Sequence, residues 1–148
     1  MEHEEYMRQA LELARLAMAE GEVPVGCVIV RDGAVVGRGR NRRETAQTAL
    51  GHAELEAIAQ ACRTLGGWRL AGCALYVTLE PCPMCAGAIV NARIPAVYYG
   101  AKDDKAGCCG SVLNLFEERY GHHPAIYGGV LADDCADVLR AFFGGLRG

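Results

Sequence analysis

Residues 74–100 read ALYVTLEPCPMCAGAIVNARIPAVYYG and change character twice within a short span. Ala74–Leu79 is apolar and rich in β-formers, which predicts a strand. Pro81 and Pro83 then fall where a helix tolerates missing N–H groups, so Pro81–Asn91 is predicted as a helix. Ala96–Gly100 returns to strand composition. The order is strand, helix, strand.

Upstream, Met7, Ala10, Leu11, Ala14, Ala17 and Met18 recur every three or four residues, which predicts a helix with one apolar stripe, ended by Gly21. Val25–Val30 and Val35–Arg40 flank Asp32-Gly33 and read as a hairpin. Residues 41–51 are polar and loop-like, and Ala53–Leu65 is predicted as a helix ending near Gly66-Gly67. Downstream come a helix at Val112–Tyr120, a strand at Ala125–Leu131 and a last helix at Ala132–Phe143. A hairpin followed by three strands separated by helices implies a mixed sheet with helices on both faces, an α/β architecture. With no repeat or linker, residues 1–148 are expected to form a single domain.

The 148 residues are 51% hydrophobic and 22% charged, a globular balance that excludes a disordered chain. No apolar run approaches the roughly 20 residues that span a bilayer. Met1–Glu5 is acidic where a leader would be basic, so a cytoplasmic protein without membrane association is expected. The net charge of −3 advertises no nucleic acid globally. Residues 31–43, however, hold five arginines against Asp32 alone, and screening confines such a field to about 10 Å.

Eight cysteines invite a disulfide framework, but a chain of this length and apolar content needs no staples. Cys27, Cys73 and Cys135 lie in apolar segments, as small buried hydrophobes do. Only Cys82 and Cys85 form C-x-x-C, three apart and thus on one face of the predicted helix. A helix start favours thiolate over thiol. His52-Ala53-Glu54 opens a second predicted helix. Two thiolates and an imidazole make three ligands for one Zn²⁺ and leave a tetrahedral position open for water, as catalytic rather than structural zinc requires. On a regular helix His52 and Glu54 would point about 200° apart, but a helix that begins between them lets both face the metal. Glu54 is then the expected general base.

The pair H-x-E and P-C-x-x-C is the signature of zinc nucleobase deaminases. Beyond it, EVPVGCVIV (Glu22–Val30), GRGRNRR (Gly37–Arg43), GHAELEAI (Gly51–Ile58), LYVTLEPCPMCAGAIVNARI (Leu75–Ile94), YGAKDDKAGCCGS (Tyr99–Ser111) and GGVLADDCADVL (Gly128–Leu139) resemble the bacterial tRNA adenosine deaminases. The resemblance covers nearly the whole chain. It implies a three-layer α-β-α cytidine-deaminase-like fold with a five-stranded sheet, a homodimer, and conversion of adenosine to inosine at the wobble position of an arginine tRNA, bound through its anticodon stem-loop. By that resemblance His52, Cys82 and Cys85 bind zinc, and Glu54 shuttles protons between water, N1 of adenine and departing ammonia. Asn41, Asp103 and Phe143 are expected to contact substrate, Asp103 at a neighbouring 2′-OH and Phe143 by stacking on a base, with Lys102 and Lys105 near phosphates. Relatives often carry an Asn-His-like pair where this chain has His122-His123, which leaves the role of His122 open. Trp68 is expected in the core or at the subunit surface. The same zinc chemistry also fits a deaminase of guanine, cytosine or a free nucleoside. A non-catalytic, zinc-stabilised RNA-binding subunit is a third reading, against which Glu54 stands.

Overall fold

Ten elements follow one another in the computed structural model, which describes residues 2–147: α1 (Glu2–Ala19), β1 (Gly26–Arg31), β2 (Ala34–Arg40), α2 (Ala53–Leu65), β3 (Cys73–Leu79), α3 (Pro83–Asn91), β4 (Ala96–Ala101), a single 3₁₀ turn (Leu115–Glu117), β5 (Ala125–Tyr127) and α4 (Ala132–Arg147). The sheet order is β2-β1-β3-β4-β5. β1 pairs antiparallel with both β2 and β3, whereas β3–β4 and β4–β5 are parallel. The Asp32-Gly33 hairpin turn has positive φ at both residues, 52° and 78°, the twist that suits a two-residue connection. The expected mixed sheet of five strands is present.

Alternate residues of each strand face opposite layers. Val28, Val30 and Tyr76 meet Met7, Leu11, Cys135 and Val138 beneath α1 and α4. Ile29, Leu75, Val77 and Val97 meet Ala57, Ala61 and Ile89 beneath α2 and α3. The hairpin is held unusually close on both sides. A Cβ at Gly37 would overlap the carbonyl of Ala57, one at Gly39 that of Ala53, and one at Gly26 that of Ala10 on α1. Helix α2 therefore lies on the sheet through its own backbone and the alanines Ala53, Ala57 and Ala61, all fully buried.

Two predicted elements differ. Val112–Tyr120 is not a helix: only Leu115–Glu117 turn, with the Asn114 side chain accepting from Phe116 N at 3.0 Å. Phe116 alone of this stretch is buried, while Val112 and Leu113 are exposed, so no apolar face exists to hold a helix against the core. The last strand stops at Tyr127 rather than Leu131. Gly128 presses against the Tyr99 ring, and positive φ at Gly129 (85°) and Leu131 (51°) bends the chain into α4.

Candidate active site

Helix α2 begins at Ala53, and His52 is its N-cap in extended conformation (φ −95°, ψ 146°). The break between His52 and Glu54 that the sequence required is thus present. Cys82 likewise caps α3 (φ −79°, ψ 175°), one residue before the helix rather than on its face. This corrects the expectation that both cysteines share a helical face. The sulfurs still converge, because Cys85 returns over the N-cap after one turn. His52 Nδ1 stands 3.6 Å from Cys82 Sγ and 3.5 Å from Cys85 Sγ. Among the described residues these three form the one group whose ligand atoms all lie within 4.8 Å of one another, so they could hold a metal ion.

Electrostatics divide the cysteines. The Cys85 thiol and the His52 ring beside the Cys82 sulfur draw it down to about 4, within thiolate range. The nearby Cys82 side chain, with burial, pushes the Cys85 thiol up. His52 is raised through its contact with Cys82. Glu54, 4% exposed, sits one residue into α2. Burial pushes its carboxyl up to about 7, where it takes and releases protons near neutrality.

These groups open into a cavity of about 230 Å³. Val23, Val25 and Leu79 form its apolar wall, and Asn41, Arg43, Glu80, Asp103 and Ala106 complete it beside the His52–Glu54–Cys82 cluster. Asn41 is buried, donating from Nδ2 to Val23 O (3.3 Å) and accepting from Arg43 N (3.4 Å). Asp103 Oδ1 accepts from Lys105 N (3.1 Å) and Ala106 N (3.2 Å). Two expected contacts are not in the lining. Lys105 is exposed, its amide serving the Asp103 turn, and Phe143 is 45% exposed on α4, edge-on to Phe142. Of the five arginines, Arg40 pairs with Glu20 (2.8 Å), Arg42 with Glu56 (3.2 Å) and Arg31 with Asp32 (3.9 Å). The Arg42 Nε pair is a charge contact without an aligned hydrogen bond. Arg43 alone of the five reaches the cavity.

His122 Nε2 lies 2.7 Å from Ile94 O and His123 Nδ1 2.6 Å from Phe116 O, so both rings tie loops to backbone. Trp68 is 51% exposed, which removes it from the core, with the Arg69 guanidinium 4.3 Å from its ring centre.

Glu80 in the cavity wall and Glu22 beside it escaped the sequence reading. Glu22 and Glu80 are 1% and 2% exposed. Each is an acid set against an apolar run, Val23–Val30 for Glu22 and Leu75–Leu79 for Glu80. That placement is the signal that could have found them. Glu22 accepts from Glu44 N (3.2 Å) and Thr45 N (2.6 Å), which joins residues 22–25 to the segment carrying Asn41 and Arg43. Burial alone would raise its carboxyl, but the Thr45 and Glu44 amides outweigh that and hold it below 4.5. Its ionised form therefore contributes stability that is present above its unfolded value and lost as pH falls through the lower folded one. Glu22→Gln is expected to lower Tm at pH 7 and to flatten the fall of Tm below pH 4.5. Equal acid limbs in calorimetry of the two proteins would contradict this.

Two helix starts thus bring a His-Cys-Cys cluster and a buried carboxylate to one cavity of a three-layer α/β fold. The chain belongs to the MafB19-like deaminase family, whose model matches residues 1–140. It is 50% identical over 143 residues to the tRNA-specific adenosine deaminase of Bacillus subtilis (strain 168), covering 96% of this chain and 89% of that protein. A solved structure from a study of A-to-I editing by tRNA:A34 deaminases at the wobble position of transfer RNA superposes with a TM-score of 0.88. It is 45% identical, with 91% of this chain and 99% of that one covered. The guanine deaminase of Bacillus subtilis is more distant, at 34% identity and a TM-score of 0.67 over 99% of this chain and 94% of that one.

Proposed function

We propose that this chain is a tRNA adenosine deaminase, an enzyme that hydrolyses adenosine to inosine at the wobble position of a tRNA anticodon, with an arginine tRNA as the substrate. The observation that carries this reading is Glu54, buried in the cavity beside the convergent His52, Cys82 and Cys85. Identity of 50% to a tRNA-specific adenosine deaminase, against 34% to a guanine deaminase, supports RNA over the free base. The reading takes residues 1–148 as one domain, acting in the cytoplasm. Among the described residues no helix is long and apolar enough to cross a membrane. It also takes the enzyme as a homodimer, for which the half-exposed Trp68 and the groove it forms with Ile58, Cys62, Ala88 and Ala92 offer an apolar face.

The metal is proposed to be one zinc ion per chain, held by His52 Nδ1, Cys82 Sγ and Cys85 Sγ. Tetrahedral zinc with bonds of about 2.0–2.1 Å to nitrogen and about 2.3 Å to sulfur separates such donors by about 3.5–3.6 Å. The structure has 3.5 and 3.6 Å. Thiolate and imidazole are also the donors zinc prefers over magnesium or calcium. When bound, zinc polarises water and eases its deprotonation. Glu54 does the remaining proton work. Its carboxylate takes a proton from the attacking water and delivers it to N1 of adenine, and it then carries the remaining proton of the new C6 hydroxyl to the amine, so that the C6–N bond breaks, ammonia leaves and the C6 carbonyl of inosine forms. Val23, Val25 and Leu79 keep the base in a dry slot, while Asn41 is placed at a purine edge or ribose. Asp103 at the cavity wall is proposed to read the neighbouring 2′-OH. Lys105 is proposed for phosphate and Phe143 for a splayed base, both from outside the cavity.

The test is a parallel deamination assay read by mass spectrometry, offering an arginine anticodon stem-loop containing A-C-G beside free adenosine, guanine and cytosine. Inosine in the stem-loop alone is expected. Product from a free base or nucleoside with an intact stem-loop would overturn the substrate. Asp103→Asn is expected to change discrimination between ribose and deoxyribose at the neighbouring nucleotide while metal content stays fixed. Unaltered selectivity would make Asp103 an ordinary loop acid.

A further inference from the structure

Glu80 is a buried carboxylate that the chemistry above does not use. It follows β3, with its own N–H on Ala101 O at 2.9 Å, and residues 103–111 wrap around its side chain. Oε1 accepts from Asp103 N (3.1 Å) and from the Ser111 hydroxyl, and Oε2 accepts from Cys109 N (2.9 Å) and Ser111 N (3.1 Å). Gly107 passes so close that a Cβ there would overlap the carboxylate. Cys108 N donates to Pro81 O at 2.8 Å, which ties the same loop to the turn entering α3. The loop buries Cys108 and Cys109 in the core shared with α2 and α3, so its backbone N–H groups there need partners within the protein. Its amides converge on one anion, as they would otherwise on water.

We propose that Glu80 is a positioning residue for substrate recognition: it holds the 103–111 loop so that Asp103 and Ala106 form the cavity wall. Its oxygens are engaged by the loop, so it acts through Asp103 and not on the substrate. Only a carboxylate suits the place. A glutamine would turn an amide donor toward an N–H on whichever side it was put, leaving a buried donor without an acceptor. This inference deepens the tRNA reading and rests on it for the identity of the substrate.

The experiment uses the metal-loaded protein with Glu80→Gln, Ser111→Ala and Asp103→Ala, and the double variant Glu80→Gln/Asp103→Ala. In amide hydrogen exchange, Glu80→Gln is expected to speed exchange across residues 103–111 at least about tenfold, while β3, α3 and metal content are unaffected. Ser111→Ala is expected to do the same to a smaller degree, and it carries the test if Glu80→Gln does not fold. On the A-C-G stem-loop, Glu80→Gln is expected to raise KM about tenfold or more with kcat within about threefold. The double variant should raise KM no further than the larger single effect. Unchanged exchange in 103–111, or KM effects that multiply, would overturn the proposal. A wild-type protein inactive on the stem-loop would instead sink the tRNA reading, and the exchange result alone would then decide whether Glu80 holds the loop.

Discussion

Glu54→Ala is expected to lower kcat on the stem-loop by about 10²- to 10⁴-fold and to leave one metal ion per chain. The magnitude follows from removing the proton carrier, for which about 10² to 10⁴ is usual. The unchanged metal content follows from position: Glu54 is not one of the three convergent ligand atoms. Stability supplies a second, independent sign. The Glu54 carboxyl is raised from 4.5 to about 7, so stability is full while it stays protonated below its unfolded value and is lost as pH rises through about 7. With both proteins metal-free, Glu54→Gln, which keeps the shape without the charge, should therefore melt above wild type at pH 8 and close to it near pH 4.5. Activity assays with metal analysis and melting curves at the two pH values read all of this. Loss of metal on Glu54→Ala would show that the residue had been given the wrong role.

Cys85→Ala is expected to abolish stoichiometric metal binding, to bring turnover to background and to lower Tm. Cys85 is fully buried and is a point where α3 meets the His52 loop. Without the metal, two helix starts that lack side-chain caps are left with their N–H groups and a thiolate unbalanced. Metal-site free energy is also folding free energy. Cys82→Ala should behave likewise, and a chelator should bring the wild-type protein to the same state. Elemental analysis and calorimetry decide it, and a Cys85→Ala protein with a full metal complement would refute the assignment.

Much of this architecture was legible because local and global signals agree. The hairpin turn, the glycine end of α2 at Gly66 and the two helix starts each carry their own chemistry in adjacent residues. The convergence of His52, Cys82 and Cys85 could be read for the same reason, since each half is a short motif. Reading failed where structure is set by partners far along the chain. Val112–Tyr120 has apolar residues enough for a helix, but Val112 N and Leu113 N are bonded to Gly107 O and Ser111 to Glu80. Glu22 and Glu80 recognise backbone amides more than 20 residues away, and backbone amides are the same in every sequence. Lys105 and Phe143 stand outside the cavity lining, and a motif that fixes order along the chain carries no information on the direction their side chains take.

The glycines of β2 have a mechanical consequence. Most helices rest on a sheet through side chains, which shift rotamers and absorb small displacements. At Gly37 and Gly39 the helix bearing Glu54 rests main chain on main chain, with no such cushion. The contact is stiff, and forming it freezes no rotamers. Disturbance should therefore reach Glu54 as a step and not as gradual drift: the seat of α2 holds its distance until it is lost.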